Sequence, residues 1–301
     1  MFRVLVHESI GADVYRMVIE ATKIAQKRKA GQFIMLRIDE HGERIPLTIA
    51  DANKEKGTIT LIYQAVGKST EQLSTLEVGD FLLDVVGPLG QATHIEKFGT
   101  CVCVGGGIGK APLFPIANAL KLAGNKVISI VGARGKDLII LEDELEVISD
   151  ELIVCTDDGS HGRKALVTEP LQEILDREHV DLCVAIGPTI MMKVVSEVTR
   201  PYKVPTMVSL NSIMVDGTGM CGCCRVTVGG ETKFTCVDGP EFDGHQVDFD
   251  QLINRLHSYT EQEHKASERW HRRKEQDLDA RRERLCQLEA EIAKARGEEN
   301  E

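Results

Sequence analysis

The chain has 301 residues, enough by ordinary domain sizes for two compact domains and a small appendage. With 42% hydrophobic and 28% charged residues, its composition is that of a folded globular protein and not of a disordered one. A formal net charge of −11 excludes general affinity for nucleic acid or anionic membrane, and no apolar run nears the roughly 20 residues that span a bilayer.

Residues 1–96 read as β-rich. The opening MFRVLVHESI lacks the charged-then-apolar layout of a signal peptide, so a cytoplasmic location is expected. VYRMVIEA, QFIMLRI, TITLIYQAV and FLLDVVG are short β-branched or alternating segments, punctuated by Gly31, Gly57, Gly79 and Gly87. Strands without a long intervening helix predict an antiparallel barrel. Two polar stretches stand at strand ends: RIPLT, with Arg44, Pro46, Leu47 and Thr48, and VGKST, with Gly67, Lys68, Ser69 and Thr70. A guanidinium and a Gly-bearing loop with free amides suit a flavin pyrophosphate. Composition alone favours plain surface turns there.

From residue 97 to 207 the pattern changes to strand–helix alternation. Strand TCVCVG leads into GGIGKAP and a helical stretch, PLFPIANALKLAG, with Gly124 as its C-terminal cap. Strands KVISIVGA, ELIVCTDD, DLCVAIGP and VPTMVSL follow, separated by helices EDELEVIS, VTEPLQEILDRE and TIMMKVVSEVTRPY. This order predicts a parallel sheet with helices on both faces. Gly105, Gly106, Gly107, Ile108, Gly109 and Pro112 form a Gly-rich strand-to-helix turn where backbone amides can meet a pyrophosphate. Gly187, ending a later strand, is expected to line the same crevice. Asp157 and Asp158 either contact ribose hydroxyls or make an Asx turn. Arg134 either meets a 2′-phosphate or is an ordinary exposed arginine, so NAD(H) and NADP(H) both stay open.

Nine cysteines, an odd number, do not make a complete disulfide framework. Four of them, Cys221, Cys223, Cys224 and Cys236, fall within residues 208–248, a Gly-rich segment too short for an apolar core of its own. The run D-x4-C-x2-C-x11-C from Asp216 follows the C-x4-C-x2-C spacing of plant-type 2Fe–2S ferredoxins, with Asp216 in the first ligand's place. A zinc site could use the same thiolates, but the x11 gap without a nearby His matches zinc spacing poorly. Cys223 and Cys224 are adjacent, so the C-x2-C rule selects Cys224 and leaves Cys223 spare, and the expected ligands are Asp216, Cys221, Cys224 and Cys236. If Asp216 is only a turn residue, water or Cys223 must be the fourth ligand. A carboxylate is harder than a thiolate and should shift the cluster's potential and make it more labile. Residues 249–301 read as a charged helical extension, with Leu278, Leu285 and Ile292 at sevenfold spacing and Leu288 between, too few steps for a coiled coil.

Taken in order, these motifs resemble the ferredoxin–NADP reductase superfamily over about residues 1–245, most closely the electron-transfer subunits of dihydroorotate dehydrogenase and their relatives. That resemblance implies a β plus α/β fold. Its parts are an antiparallel FAD-binding β-barrel, a parallel-sheet NAD(P)-binding domain, a small 2Fe–2S loop subdomain and a terminal helix. It assigns Arg44, Pro46, Leu47, Thr48, Gly67, Lys68, Ser69 and Thr70 to FAD, and Gly105 to Pro112 to NAD(P). Two departures matter: the family's C-G-P stands here as Ile186-Gly187-Pro188, and Asp216 replaces a cysteine ligand. Asp plus three Cys resembles the small subunits of NADH-dependent reduced ferredoxin:NADP oxidoreductases, a type also called sulfide dehydrogenase subunit beta. This implies a larger partner subunit carrying flavin and 4Fe–4S clusters, and ferredoxin as an indirect partner in electron bifurcation. A dihydroorotate dehydrogenase partner and a non-catalytic, metal-stabilised redox-sensing module are the alternatives. No acid–base dyad or nucleophile triad is visible, and electron transfer requires none.

Overall fold

The computed structural model describes residues 1–295, with side chains beyond Gln276 described only in part. The chain divides into two compact units, Met1–His257 and Ser258–Glu301.

The first unit begins with β1 (Phe2–Gly11), β2 (Val14–Glu20), helix α1 (Thr22–Lys27), β3 (Phe33–Arg37), β4 (Ile45–Asn53) and β5 (Thr58–Gln64). Helix α2 (Lys68–Leu73), β6 (Phe81–Leu82) and β7 (Asp84–Leu89) complete this part. The antiparallel order β6-β1-β2-β5-β4-β3-β7 puts two strands separated only by Leu83 at opposite edges. One chain segment therefore pairs with β1 at one end and β3 at the other, and the sheet nearly closes on itself. Met17, Ile19, Ile34, Leu36, Ile49 and Leu61 fill its interior. Alternation then sends Phe33 and Met35 outward, yet both are buried, so β3 is covered on two faces. What covers its outer face is the cysteine-bearing loop described below.

The second sheet has the order β11-β10-β9-β8-β12-β13-β16. Its strands are β8 (Thr100–Gly106), β9 (Lys126–Ala133), β10 (Glu151–Thr156), β11 (Arg163–Lys164), β12 (Leu182–Ile186), β13 (Thr206–Ser209) and the antiparallel β16 (Glu241–Asp243). Helices α3 (Lys110–Leu122) and α4 (Glu142–Ile148) lie on one face, α5 (Thr168–Arg177) and α6 (Thr189–Thr199) on the other. α3 ends as expected, with Gly124 at φ +85 and its amide on the Lys121 carbonyl. From β8 the chain winds outward first through β9 and β10, then in the opposite direction through β12 and β13. That reversal opens a crevice at the carboxyl ends of β8 and β12.

A small hairpin, β14 (Arg225–Val228) and β15 (Glu231–Phe234), turns through Gly229 and Gly230, both at positive φ. Helix α7 (Phe249–Leu256) is N-capped by Asp248, whose side chain accepts the Gln251 amide, and buries Phe249 and Leu252 in the α5–α6 core. The second unit holds the long helix α8 (Thr260–Ala295). Leu278, Leu285, Leu288 and Ile292, with their sevenfold spacing, lie outside the described side chains.

β1 and β4 have no counterpart in the sequence-based reading. Only Val4 of the ten residues of β1 is buried, so no alternation marks it. β4 carries Pro46 and Asp51 inside a strand that is half-exposed along its outer side.

Candidate functional site

The glycine turn after β8 sits at the mouth of the crevice. A Cβ on Gly109 would collide with the Ile186 carbonyl, and one on Gly187 would stand 3.1 Å from the Gly106 Cα. The turns after β8 and β12 thus touch through glycines, an approach that no other residue permits. Gly107 differs: at φ +56, its missing Cβ faces open space. That opening, beside the first turn of α3, is a cradle where a phosphate can reach backbone amides. Pro112 lies in that first turn and Ile108 packs on the α3–α4 side of the sheet.

Arg134 and Asp157 are exposed neighbours at the ends of β9 and β10, where the Asp157 amide donates to the Ala133 carbonyl. The Asx turn belongs to Asp158, whose Oδ1 accepts both the amide and the hydroxyl of Ser160. Asp157 makes no such turn.

On the barrel, β3 and β4 pair Phe33 with Thr48 and Met35 with Pro46. Thr48 and Pro46 therefore face outward beside the covered residues of β3, about one strand spacing of 4.8 Å away. Leu47 points the other way and packs on the barrel core, leaving only its backbone to the outer surface. Arg44 Nη2 lies 3.4 Å from Asp84 Oδ2, and Lys68 Nζ lies 3.7 Å from Glu43 Oε1. Ser69 donates to Glu43 Oε2 at 3.0 Å. The Thr70 hydroxyl accepts the Val66 and Gly67 amides, which shapes the loop. A pyrophosphate bound here would compete with Glu43 for Lys68 and Ser69. Glu43 is 62% exposed and such a pair is worth under about 1 kcal/mol, so displacement is cheap. These residues fit a flavin diphosphate.

The x11 gap between Cys224 and Cys236 has a structural cause. It contains the β14–β15 hairpin plus Thr235, so antiparallel pairing brings the two cysteines back together. Their sulfurs are 3.2 Å apart, each residue is buried, and both amide and hydroxyl of Thr235 donate to the Cys224 carbonyl. Burial pushes the Cys236 thiol up to about 12, with the Cys224 hydrogen bond adding to the effect. A bound metal reverses that logic, because a coordinated thiol is deprotonated outright. Two thiolates on one tetrahedral metal stand about 3.8 Å apart for bonds near 2.3 Å, so the pair needs to part by only about half an ångström.

Asp216 and Cys221 form the second pair. Asp216 Oδ1 accepts the Thr218 amide at 2.8 Å and Oδ2 the Cys221 amide at 2.9 Å. These bonds, the Thr218 amide foremost, hold the carboxyl below its usual range, so it is ionised at neutral pH with lone pairs to spare. Cys223 lies between the pairs: its amide donates to Cys221 Sγ at 3.5 Å and its carbonyl accepts from Arg255 Nη2 at 2.9 Å.

Among the described residues no three His, Cys, Asp or Glu side chains converge on a single point. A lone tetrahedral ion needs four ligands at one point, whereas a bridged two-iron centre needs only two per iron. Two pairs, Asp216 with Cys221 and Cys224 with Cys236, fit the second arrangement better than the first.

The loop is seated on the barrel. Met214, Cys224 and Cys236 share one apolar cluster with Phe33 and Met35. Gly217, at φ +76, lies so close that a Cβ there would stand 3.1 Å from a Leu89 methyl and collide with the Met35 side chain. Ser212 precedes this loop, and its buried hydroxyl has no hydrogen-bond partner among the described residues. Neither Ser212 nor the buried Lys110 is recognisable in the sequence, since a serine in a loop and a lysine opening a helix are ordinary features.

Comparison with known proteins agrees with this geometry. Residues 211–248 match the iron–sulfur cluster binding domain of dihydroorotate dehydrogenase B. The dihydroorotate dehydrogenase B (NAD(+)) electron transfer subunit homolog of Thermotoga maritima is 51% identical over 87% of this chain and 92% of its own. The electron transfer subunit of Clostridium perfringens is 34% identical over 78% of this chain and 92% of its own. Among solved structures, a chain of an NADH-dependent reduced ferredoxin–NADP oxidoreductase, determined for insight into flavin-based electron bifurcation, is 48% identical with a TM-score of 0.85. The match covers 90% of this chain and 98% of that one. Phthalate dioxygenase reductase, at 15% identity and a TM-score of 0.57, shares the fold, covering 75% of this chain and 85% of its own.

Proposed function

This chain belongs to the dihydroorotate dehydrogenase B electron-transfer subunit family, and from its likeness to the NADH-dependent reduced ferredoxin–NADP oxidoreductase chain we propose that it is an electron-transfer oxidoreductase subunit of the bifurcating type. It passes electrons between NAD(H), FAD and a 2Fe–2S cluster, to or from a larger partner subunit. The reading rests on one observation: Phe33 and Met35 pack against the cysteine loop while their register partners, Thr48 and Pro46, open outward beside it. Flavin and cluster sites built on adjacent strands stand within electron-transfer distance without any moving part.

Bound FAD supplies the exchange between two-electron hydride chemistry and one-electron transfer. The chain supplies position and electrostatics. Arg44, Lys68 and Ser69 hold the flavin diphosphate, and Thr48 and Pro46 flank the ring. Gly105, Gly106, Gly107 and Gly109 hold the dinucleotide diphosphate, with Gly187 closing the far side, and Arg134 and Asp157 reach the adenosine end. Asp216 and Cys221 bind one iron, Cys224 and Cys236 the other. The partner carries its own flavin and 4Fe–4S clusters and exchanges electrons with ferredoxin. Nine cysteines without a complete disulfide framework support a cytoplasmic setting, and no helix among the described residues is long and apolar enough to cross a membrane.

A dihydroorotate dehydrogenase partner is the second reading, favoured by the names of several relatives. Asp216 in place of a fourth cysteine weighs against it. Mixing the anaerobically purified protein with NADH should bleach the flavin absorbance within the mixing time of a manual assay. An unchanged spectrum with flavin present would contradict NADH as the donor. Co-purification of a partner that oxidises dihydroorotate would establish the second reading in place of the first.

A further inference from the structure

Lys110 is the only Lys, Arg, Asp or Glu among the described residues that is fully buried, with 0% of its surface exposed. It opens α3 directly after the glycine turn, and its Cγ would lie 3.2 Å from a Cβ on Gly105. Its ammonium donates to the Gly132 carbonyl at 3.2 Å and the Leu138 carbonyl at 2.9 Å. Gly132 pairs with Gly106 in the β8–β9 register, so this charge sits one strand from the turn, at the carboxyl edge of the sheet.

Nothing described neutralises it. From β8 it meets glycine, from β9 a carbonyl, and from the turn at 136–138 another carbonyl. Arg134, Lys136 and Asp137 near that turn are exposed, and burial alone lowers its pKa, to about 8, with no charged side chain contributing. The positive end of α3 also disfavours a cation there. Desolvating an ammonium is costly, which two carbonyl hydrogen bonds offset only in part, while an apolar side chain would fill the space without that cost. A cation buried on such terms is best matched by an anion supplied from outside the chain.

We propose that Lys110 is a buried countercharge for the diphosphate of a dinucleotide bound over residues 105–109. This rests on the dinucleotide reading above and assigns the site a charge that its glycines lack. Binding the diphosphate favours the charged ammonium, so the protein takes up a proton on binding at pH near 8 and takes up none well below that pH.

The test is calorimetric titration of the flavin-loaded protein with ADP-ribose at both pH values, in two buffers of different ionisation heat. Wild type should bind with proton uptake only at the higher pH. Lys110→Met should weaken binding by roughly tenfold or more at unchanged flavin content. Lys110→Arg should bind nearly as wild type with no proton uptake, since its charge does not titrate. Absence of ADP-ribose binding by wild type would overturn the dinucleotide reading itself. Wild-type binding without proton uptake, or Lys110→Met binding within twofold, would overturn this proposal alone. Should Lys110→Met fail to fold, the wild-type proton uptake decides.

Discussion

Cys224→Ser is expected to strip the iron while leaving the flavin in place. Cys224 is buried against Cys236, and the pair exists only because the hairpin returns the chain to its start. A serine oxygen is a harder and far less acidic ligand than a thiolate, so one iron of the bridged centre loses half its protein ligands. Altering groups that merely orient a ligand costs 10–100-fold in affinity, so iron content should fall by at least an order of magnitude. The flavin residues stand at the start of β4 and at the start of α2, outside the hairpin. Flavin content and its reduction by NADH should therefore persist while delivery to the partner stops. Cys223→Ser, which changes neither member of the two pairs, should keep its iron. Iron and flavin assays on the two variants check this directly. Joint loss of iron and flavin in Cys224→Ser would mean that the loop and barrel do not bind their cofactors independently.

Gly107→Ala should weaken NADH binding by roughly tenfold to a hundredfold, about 1.4–2.8 kcal/mol. The added methyl meets no protein atom within 4 Å, so it enters the very space assigned to the phosphates. The backbone at φ +56 adds a conformational cost of about 1 kcal/mol for an L-residue, a modest loss of stability that a denaturant melt separates from the binding effect. Chemical reduction of the flavin, which bypasses the crevice, should be unchanged. Unaltered NADH affinity in this variant would place the dinucleotide elsewhere.

Much of this was legible in the residues, for physical reasons. Strand–helix alternation and a Gly-rich turn after the first parallel strand locate the crevice because sheet topology fixes where such turns converge. The cysteine site is legible because D-x4-C-x2-C follows the plant-type ferredoxin spacing, whereas the reason for the x11 gap, a hairpin whose ends meet, shows only in the fold. Other features depend on tertiary context. β1 buries Val4 alone and β4 holds a proline, so neither has the pattern of a strand until its neighbours are known. β16 is three residues long and joins the parallel sheet from the far side of the cysteine loop. Helix α7 belongs with the core through Phe249 and Leu252, although it opens a stretch that reads as a charged extension. Lys110 is invisible because no local pattern separates a buried lysine from a solvated one.

The central claim is that a loop resting on β3 binds two bridged irons beside a flavin held on β4. Quantifying iron, acid-labile sulfide and flavin in protein purified without oxygen tests it most directly. About two irons, about two sulfides and one FAD per chain are predicted. Zinc in place of iron, with no labile sulfide, would contradict it.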